Sequence, residues 1–455
     1  MNFIEFLDKA MVEFSGFMWG PPIVMLLLGG GLFFTAYCRF IPFRYIGHSI
    51  DILKGKFDKD DDPGQITHFE ALSSALASTV GMGNIAGVAI ALHTGGPGAI
   101  FWMWITAIIG MSTKFFTCTL AVQFRGNDDR GEVQGGPMYY IEKGLGEKFK
   151  PLAIFFSFAG MFASFTFFQA NQLVQIIRDF VFIPQGIFSK NQLLGDGITG
   201  VIIAFIVGFV IFGGIKRIAK VAARLVPVMV IIYMAAAIII LVLNISSIPG
   251  IIYNIFYDAF TGQAVVGGAV GTMIITGVRR GLFSNEAGAG TEALAHGAAK
   301  TTEPVREGLV AMVGPFIDTI IVCTTTALVI LISGLHLTDN NGVTLTVMAF
   351  EQELGIVGRL LLFVAVLTFS LSTMFGYSYY GRKCTGYLFG SQWKPYYNYI
   401  YVLVIVIASV STIDIAINFV DSCYALMVIP TMIGTILLSP KVMQAAKKYF
   451  ATLEQ

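Results

Sequence analysis

From Leu225 to Leu243 the chain reads LVPVMVIIYMAAAIIILVL, without a single charged side chain. A run of that length and apolarity suits the hydrocarbon core of a bilayer, which takes about 20 apolar residues per helix. With no water to satisfy the backbone, each N–H and C=O must find its partner inside the segment, so the run is read as a transmembrane helix. It is not alone. About eleven such spans are expected, near 17–37, 68–94, 98–123, 152–182, 198–214, 219–244, 266–287, 306–334, 356–381, 396–411 and 414–437, numbered here 0 to 10. Composition agrees: 55% of the 455 residues are hydrophobic and 13% charged, against roughly 25% charged in a soluble domain. A formal charge of +1 excludes a strongly basic nucleic-acid binder. The chain is expected to be an all-α integral membrane protein.

Two stretches lie outside this pattern. VTLTVMAFEQEL, residues 343–354, is apolar on one side but too short and too charged to cross, and is expected at the interface or against the bundle. Residues 245–264 read as a partly embedded connection. The N-terminus lacks a positive stretch with a cleavage motif, so the first apolar run is read as a span rather than a signal peptide. Five cysteines, scattered and without CxxC pairing, read as small buried hydrophobes.

Lysines and arginines set the orientation. Most of the 29 fall in 38–66, 124–151, 215–224, 279–306, 382–395 and 438–455, and the alternate loops hold almost none. That bias places the N-terminus outside and the C-terminus inside.

Setting span 0 aside, the other ten divide into 68–244 and 266–437, with five spans each. Five is odd, so the second block is inverted relative to the first. The chain then divides into 1–67 (an extra helix and cytoplasmic loop), 68–244 (first repeat), 245–437 (connection and second repeat) and 438–455 (cytoplasmic tail). In inverted-repeat transporters the first helix of each half is broken near the midplane to form the substrate site. Span 1 carries STVGMGNIAG at 78–87, poor helix material at its middle. Symmetry asks for a second break in span 6, and GGAVGTMIITG at 267–277 places Gly267, Gly268, Gly271 and Gly277 there. The alternative is tight helix packing, for which Gly83 and Gly87 supply a GxxxG; two glycine-rich spans at symmetric positions favour the breaks. At such a break the N–H groups of Gly81, Gly83 and Asn84 open a half helix whose positive end suits a carboxylate, and the carbonyls of Ala77 to Val80 suit a bare cation.

GGPGAIFWMWITAIIG at 95–110, with GMGNIAGVA, GGPMYY and SNEAGAGTEALAH, resembles the alanine or glycine:cation symporter family of prokaryotes, and the similarity runs over nearly the whole chain. The resemblance implies sodium-coupled uptake of small neutral amino acids across a prokaryotic cell membrane. It also implies the leucine-transporter-like 5+5 inverted repeat of the amino acid-polyamine-organocation superfamily, with spans 1 and 6 broken and one extra N-terminal helix. That superfamily breaks span 1 at Val-Gly-Leu-Gly-Asn, which Val80-Gly81-Met82-Gly83-Asn84 matches with one conservative change. Span 6 has no clear match to the superfamily motif.

Candidate contacts follow. Substrate is expected against Thr79, Gly81, Gly83 and Asn84 of span 1, and against Gly271, Thr272, Met273, Ile274, Ile275 and Thr276 of span 6. In span 3 Gln169 is the choice to bond the substrate, with Phe165 or Phe168 walling the pocket; interhelical bonding is the alternative for each polar residue there. In span 8, Ser372 and Thr373 follow Phe369 by one turn, so two hydroxyls and a carbonyl can share a side; the alternative is that both hydroxyls bond carbonyls of their own helix. By resemblance to the superfamily's common sodium site, these join the carbonyls of Ala77 and Val80. Lys114 and Asp318 are the lone deep charges and lean structural. Arg279, Arg280 and Glu286, near the cytoplasmic end of span 6, read as gate or loop charges, or as snorkelling side chains.

No catalytic motif such as HExxH, GxSxG or GxxxxGK[ST] is present, and the five histidines do not cluster in sequence. Neither an enzyme nor a cofactor is expected, only sodium as coupling ion. The alternative of another class is an ion channel or passive pore. A channel is commonly a symmetric oligomer, whereas both halves of the pseudo-symmetry lie in this one chain, which suits a monomer.

Overall fold

The computed structural model describes residues 3–59, 61–261 and 269–453. The protein is a helical bundle whose one sheet among the described residues is a two-stranded ribbon, Gly126–Asn127 against Val133–Gln134. Seven helices among those residues are long and apolar enough to cross a membrane, or nine if each of two bent pairs is one span. Helices fall on all of the expected ranges, including the shorter Ala269–Asn285 and Lys394–Ser409. All five cysteines are buried and free.

Three boundaries differ from expectation. A helix Phe3–Met18 precedes the first span and meets Pro21–Tyr37 at 43°. It packs on span 10, where Asp8 accepts from Thr412 (2.6 Å). Its four charged residues broke the apolar signal in sequence. At the other end, helix Ile413–Leu453 runs on through the expected tail, and Phe450 stacks on Tyr45 (4.0 Å between centroids). The third difference concerns span 6 and is taken up with the site.

The segment 343–354 lies against the bundle. It opens the helix Gly342–Phe389, which turns at Gly355 (φ 61°), a left-handed conformation that glycine tolerates. Its Val343 N–H bonds Gln172 Oε1 (3.0 Å), and Thr346 Oγ1 donates to the Ile85 carbonyl (3.2 Å). The connection before span 6 also folds, as helix Ile248–Thr261, and Asp258 caps the start of span 2 by accepting from Gly98 N–H (2.7 Å).

Candidate functional site

Span 1 is broken where its glycines place the break. Helix His68–Thr79 starts with a capping box, Thr67 and Glu70 bonding each other's backbone N–H, and ends at Val80 (ψ 94°). The chain resumes through a wide turn at Gly83–Gly87 into Val88–Gly95, bent by 51° from the first half. Asn84 closes the gap: its Oδ1 accepts from Gly81 N–H (2.8 Å), and its own N–H bonds the Gly81 carbonyl (3.1 Å). Two of the three N–H groups expected to face a carboxylate therefore already have partners.

Span 6 breaks later than expected. Ala269–Asn285 is one helix through Gly271, Thr272, Met273, Ile274, Ile275 and Thr276; Gly267 and Gly268 lie outside the described residues. The interruption comes at Glu286–Gly290, with φ 59° at Glu286, 102° at Gly288 and 84° at Gly290, and the chain resumes as Glu292–His296. Thr276 is thus ten residues before the break, about 15 Å along a helix. Glycine in span 6 serves two ends. Gly277 lets the helix close on span 2, since a Cβ there would stand 2.6 Å from the Ala99 carbonyl oxygen, while Gly288 and Gly290 take backbone angles other residues avoid. Past the break, Ala287 N–H bonds Asn285 Oδ1 (3.0 Å), which leaves the Phe283 carbonyl without its helical partner.

The two interruptions meet. A Cβ on Gly83 would lie 3.2 Å from Ser284 Cα and 3.4 Å from the Phe283 ring. Phe283 also packs edge-on against Phe168 of span 3 (5.2 Å) and Tyr424 of span 10 (6.1 Å). Phe168 therefore reaches the junction. Phe165 turns away to stack on Tyr397 (5.4 Å). Gln169 is buried beside Phe168.

Asp318 of span 7 ties the junction together. Its Oδ1 accepts from Asn84 Nδ2 (2.7 Å) and its Oδ2 from Ser284 Oγ (2.5 Å) and Thr319 Oγ1 (2.8 Å). Side chains from spans 1, 6 and 7 thus converge on this one carboxyl group. A lone acid in an apolar span was the available signal, and it leaned structural in sequence. Glu286 is held in turn by Thr291, by Tyr377 of span 8 and by Tyr424 (3.1 Å).

Span 8 approaches the first break from the other side. Ser372 and Thr373 hydroxyls both donate to the Phe369 carbonyl (2.9 Å each), and Thr373 Oγ1 faces Gly81 Cα. Ala77 and Val80 are buried in the same half helix, whose Ser78 packs on Gly376.

Arg279 and Arg280 are neither loop nor snorkelling charges. Both pair with Asp421 of span 10, Arg279 at 2.6 Å, and Arg280 is buried. The N-terminal helix pair joins them: Ser15 accepts from Arg279, and Trp19 Nε1 donates to the Asp421 carbonyl (3.0 Å). Beside this cluster lies a cavity of about 280 Å³ lined by Ile90, Thr94, Thr276, Asn341 and Asn418. At the opposite end of the break, Arg125 donates to the carbonyls of Gly297 (2.9 Å), Pro63 (3.0 Å), Thr301 (3.2 Å) and Ala299, and Ile66 bridges Ala299.

Comparison with known proteins bears on the family and the fold. The profile of the family described as "Sodium:alanine symporter family" matches residues 4–455. The chain is 40% identical to sodium/alanine symporter AgcS of Methanococcus maripaludis, over 99% of this chain and 98% of that one. It is 36% identical to the probable sodium/glutamine symporter GlnT of Bacillus subtilis, over 98% and 91%. Among solved structures, MhsT in complex with L-phenylalanine superposes with a TM-score of 0.59 at 14% identity, over 83% of this chain and 89% of that one. The fold is therefore the leucine-transporter-like pair of inverted five-helix repeats. A family profile across the whole length, and relatives that are transport proteins along nearly all of theirs, leave one assignment: the chain belongs to the sodium:alanine symporter family.

Proposed function

We propose that the protein is a secondary active symporter that couples inward sodium flow to uptake of small neutral amino acids, alanine and glycine, by alternating access. The observation that carries this reading is the meeting of two interrupted helices at Gly83 and Ser284, with the Ser372–Thr373 hydroxyl pair of span 8 against the first of them. Substrate carboxylate lies at the start of the half helix at Met82–Gly83, where the dipole is positive. The ammonium turns toward the Phe283 carbonyl freed by the second break. Thr79, Gly81, Asn84, Phe168 and Gln169 complete the pocket, with Phe283 and Ser284 in the place first assigned to residues 271–275. Sodium is held by Phe369, Ser372 and Thr373 with the carbonyls of Ala77 and Val80, a set of neutral oxygens suited to a hard monovalent ion.

Orientation follows the charge bias. Arg279 and Arg280 no longer count as loop charges, which leaves Lys300 and Arg306 in that segment. The N-terminus stays outside and the C-terminus inside the cell membrane of a prokaryote. Arg279, Arg280 and Asp421 then form the outer gate, with Thr276 in the cavity beside it, and Arg125 closes the inner side.

Binding to the purified protein tests the site directly. Radiolabelled alanine is expected to bind in sodium but not potassium, and to be displaced by glycine but not by leucine. Equal binding in potassium removes the sodium assignment; displacement by leucine as effective as by alanine removes the small pocket.

A further inference from the structure

On the side sealed by Arg125, three ionisable side chains from three spans meet out of reach of solvent. Glu307, near the start of span 7, is fully buried, and each oxygen of its carboxylate meets one imidazole Nδ1: Oε2 that of His68, and Oε1 that of His296 (2.5 Å). His68 is the first residue of the inner half of span 1, and His296 the last of the helix that follows the break in span 6. Both histidines are buried. The cluster thus ties together the inner ends of the two broken helices, which is where an inward passage has to open.

Other charges face it from all sides. Arg125 comes from span 2, Asp58 from the preceding loop, Arg306 from the same helix as Glu307, and Glu292 lies one turn before His296. Cys118 of span 2 also faces Glu307. Arg306 is turned to Tyr449 and Phe57, and Arg125 is engaged by four carbonyls, so the imidazoles are the direct partners of the carboxylate.

We propose that the His68–Glu307–His296 cluster is a proton-binding site at the inner gate, through which cytoplasmic pH sets how readily the gate opens. A neutral imidazole donating Nδ1–H to the Glu307 carboxylate makes a hydrogen bond in which only the acceptor is charged. A proton taken at the other ring nitrogen charges the donor as well and turns the contact into a buried ion pair, which is stronger. Acid on the cytoplasmic side therefore tightens the latch and slows inward opening. The proton is bound and released on the same side and need not cross the membrane.

The inference rests on the transport reading, so its test has one arm that needs substrate and one that does not. In the first, alanine uptake into proteoliposomes oriented with the protein's cytoplasmic face inward is followed at fixed external pH while internal pH is lowered. The initial rate is expected to fall by about tenfold as internal pH is lowered from about 8 to about 5, and equal acidification outside to leave it unchanged. His68→Asn with His296→Asn, which keeps an N–H donor near each Nδ1, should flatten this profile. In the second arm, Ser74→Cys on the inner half of span 1, in a chain whose native cysteines are replaced, is labelled by a maleimide confined to the cytoplasmic side, in the absence of amino acid. Its labelling, at rates corrected for reagent pH dependence, should slow with acid in the histidine chain and lose that dependence in the double variant. Absence of any alanine uptake with labelling still controlled by pH sinks the transport reading and leaves the latch. Uptake and labelling that respond to acid equally with and without the histidines, or not at all in the histidine chain, overturn the latch.

Discussion

The hydroxyl oxygen of Thr373 stands 2.2 Å from the point a Cβ on Gly81 would occupy, so spans 1 and 8 touch through the absence of a side chain. One atom added at Gly81 must push Thr373 away from the break, an overpacking that costs about 1–3 kcal/mol. Gly81→Ala and Thr373→Ala should therefore act on the same quantity by opposite means, one displacing the hydroxyl and the other deleting it. Both are expected to raise the sodium concentration for half-maximal uptake by about tenfold or more, with a much smaller change in the alanine requirement at saturating sodium. An unchanged sodium dependence in Thr373→Ala would place the ion elsewhere.

Asp318 supports the junction rather than merely filling span 7. Asn84, Ser284 and Thr319 all donate to its carboxylate, and an amide in its place would turn an N–H₂ toward one of those donors. Leaving a buried donor without its acceptor costs about 1–3 kcal/mol. Asp318→Asn is expected to reach the membrane in normal amount yet bind alanine about tenfold or more weakly, as measured by equilibrium binding. Wild-type affinity in that variant would return Asp318 to a structural role.

Much of this arrangement is legible in sequence, for reasons that differ by residue. Val80-Gly81-Met82-Gly83-Asn84 announces its break because glycine both lowers helix propensity and admits close neighbours there. In span 6 those two properties part company. Gly271 and Gly277 sit inside an intact helix, while the break opens at a left-handed Glu286 and runs on through Gly288 and Gly290, later in the sequence than the glycine-rich run suggests. In span 8 helical spacing puts Ser372 and Thr373 on one turn after Phe369, while their pairing with span 1 is implied only by the family resemblance. His68, His296 and Glu307 could not be joined, since they are far apart or unremarkable in sequence and meet only when the halves pack. Helix Phe3–Met18 escaped because its charges hide its apolar side.

The substrate's charge supplies a third expectation. Gly81 and Asn84 N–H groups are engaged within the break, so a carboxylate has the Met82–Gly83 end of the half helix and its dipole to bind. Alaninamide, which has lost the negative charge, should compete poorly with radiolabelled alanine. Competition equal to that of alanine would mean that the half helix does not read the carboxylate.

In the proposed site, Phe283 is expected to set the size of the pocket. Its ring lies against Gly83 and Gly87 and meets Phe168 edge-on, so removing it opens space at the junction. Phe283→Ala should let leucine compete for binding, while alanine loses about 1–3 kcal/mol through the contact it no longer makes. Continued exclusion of leucine by the variant would show that another residue limits volume.

Accumulation in liposomes separates sodium-coupled uptake from passive flow. Purified protein is reconstituted with equal alanine on both sides, an inward sodium gradient and the membrane potential clamped at zero. Internal alanine is expected to rise above the external concentration, to do so in proportion to the gradient, and to return to equality when sodium is equalised. Alanine that only equilibrates whatever the sodium gradient, as through a channel or passive pore, would rule out sodium-coupled symport, as would accumulation driven by a proton gradient alone in sodium-free buffer.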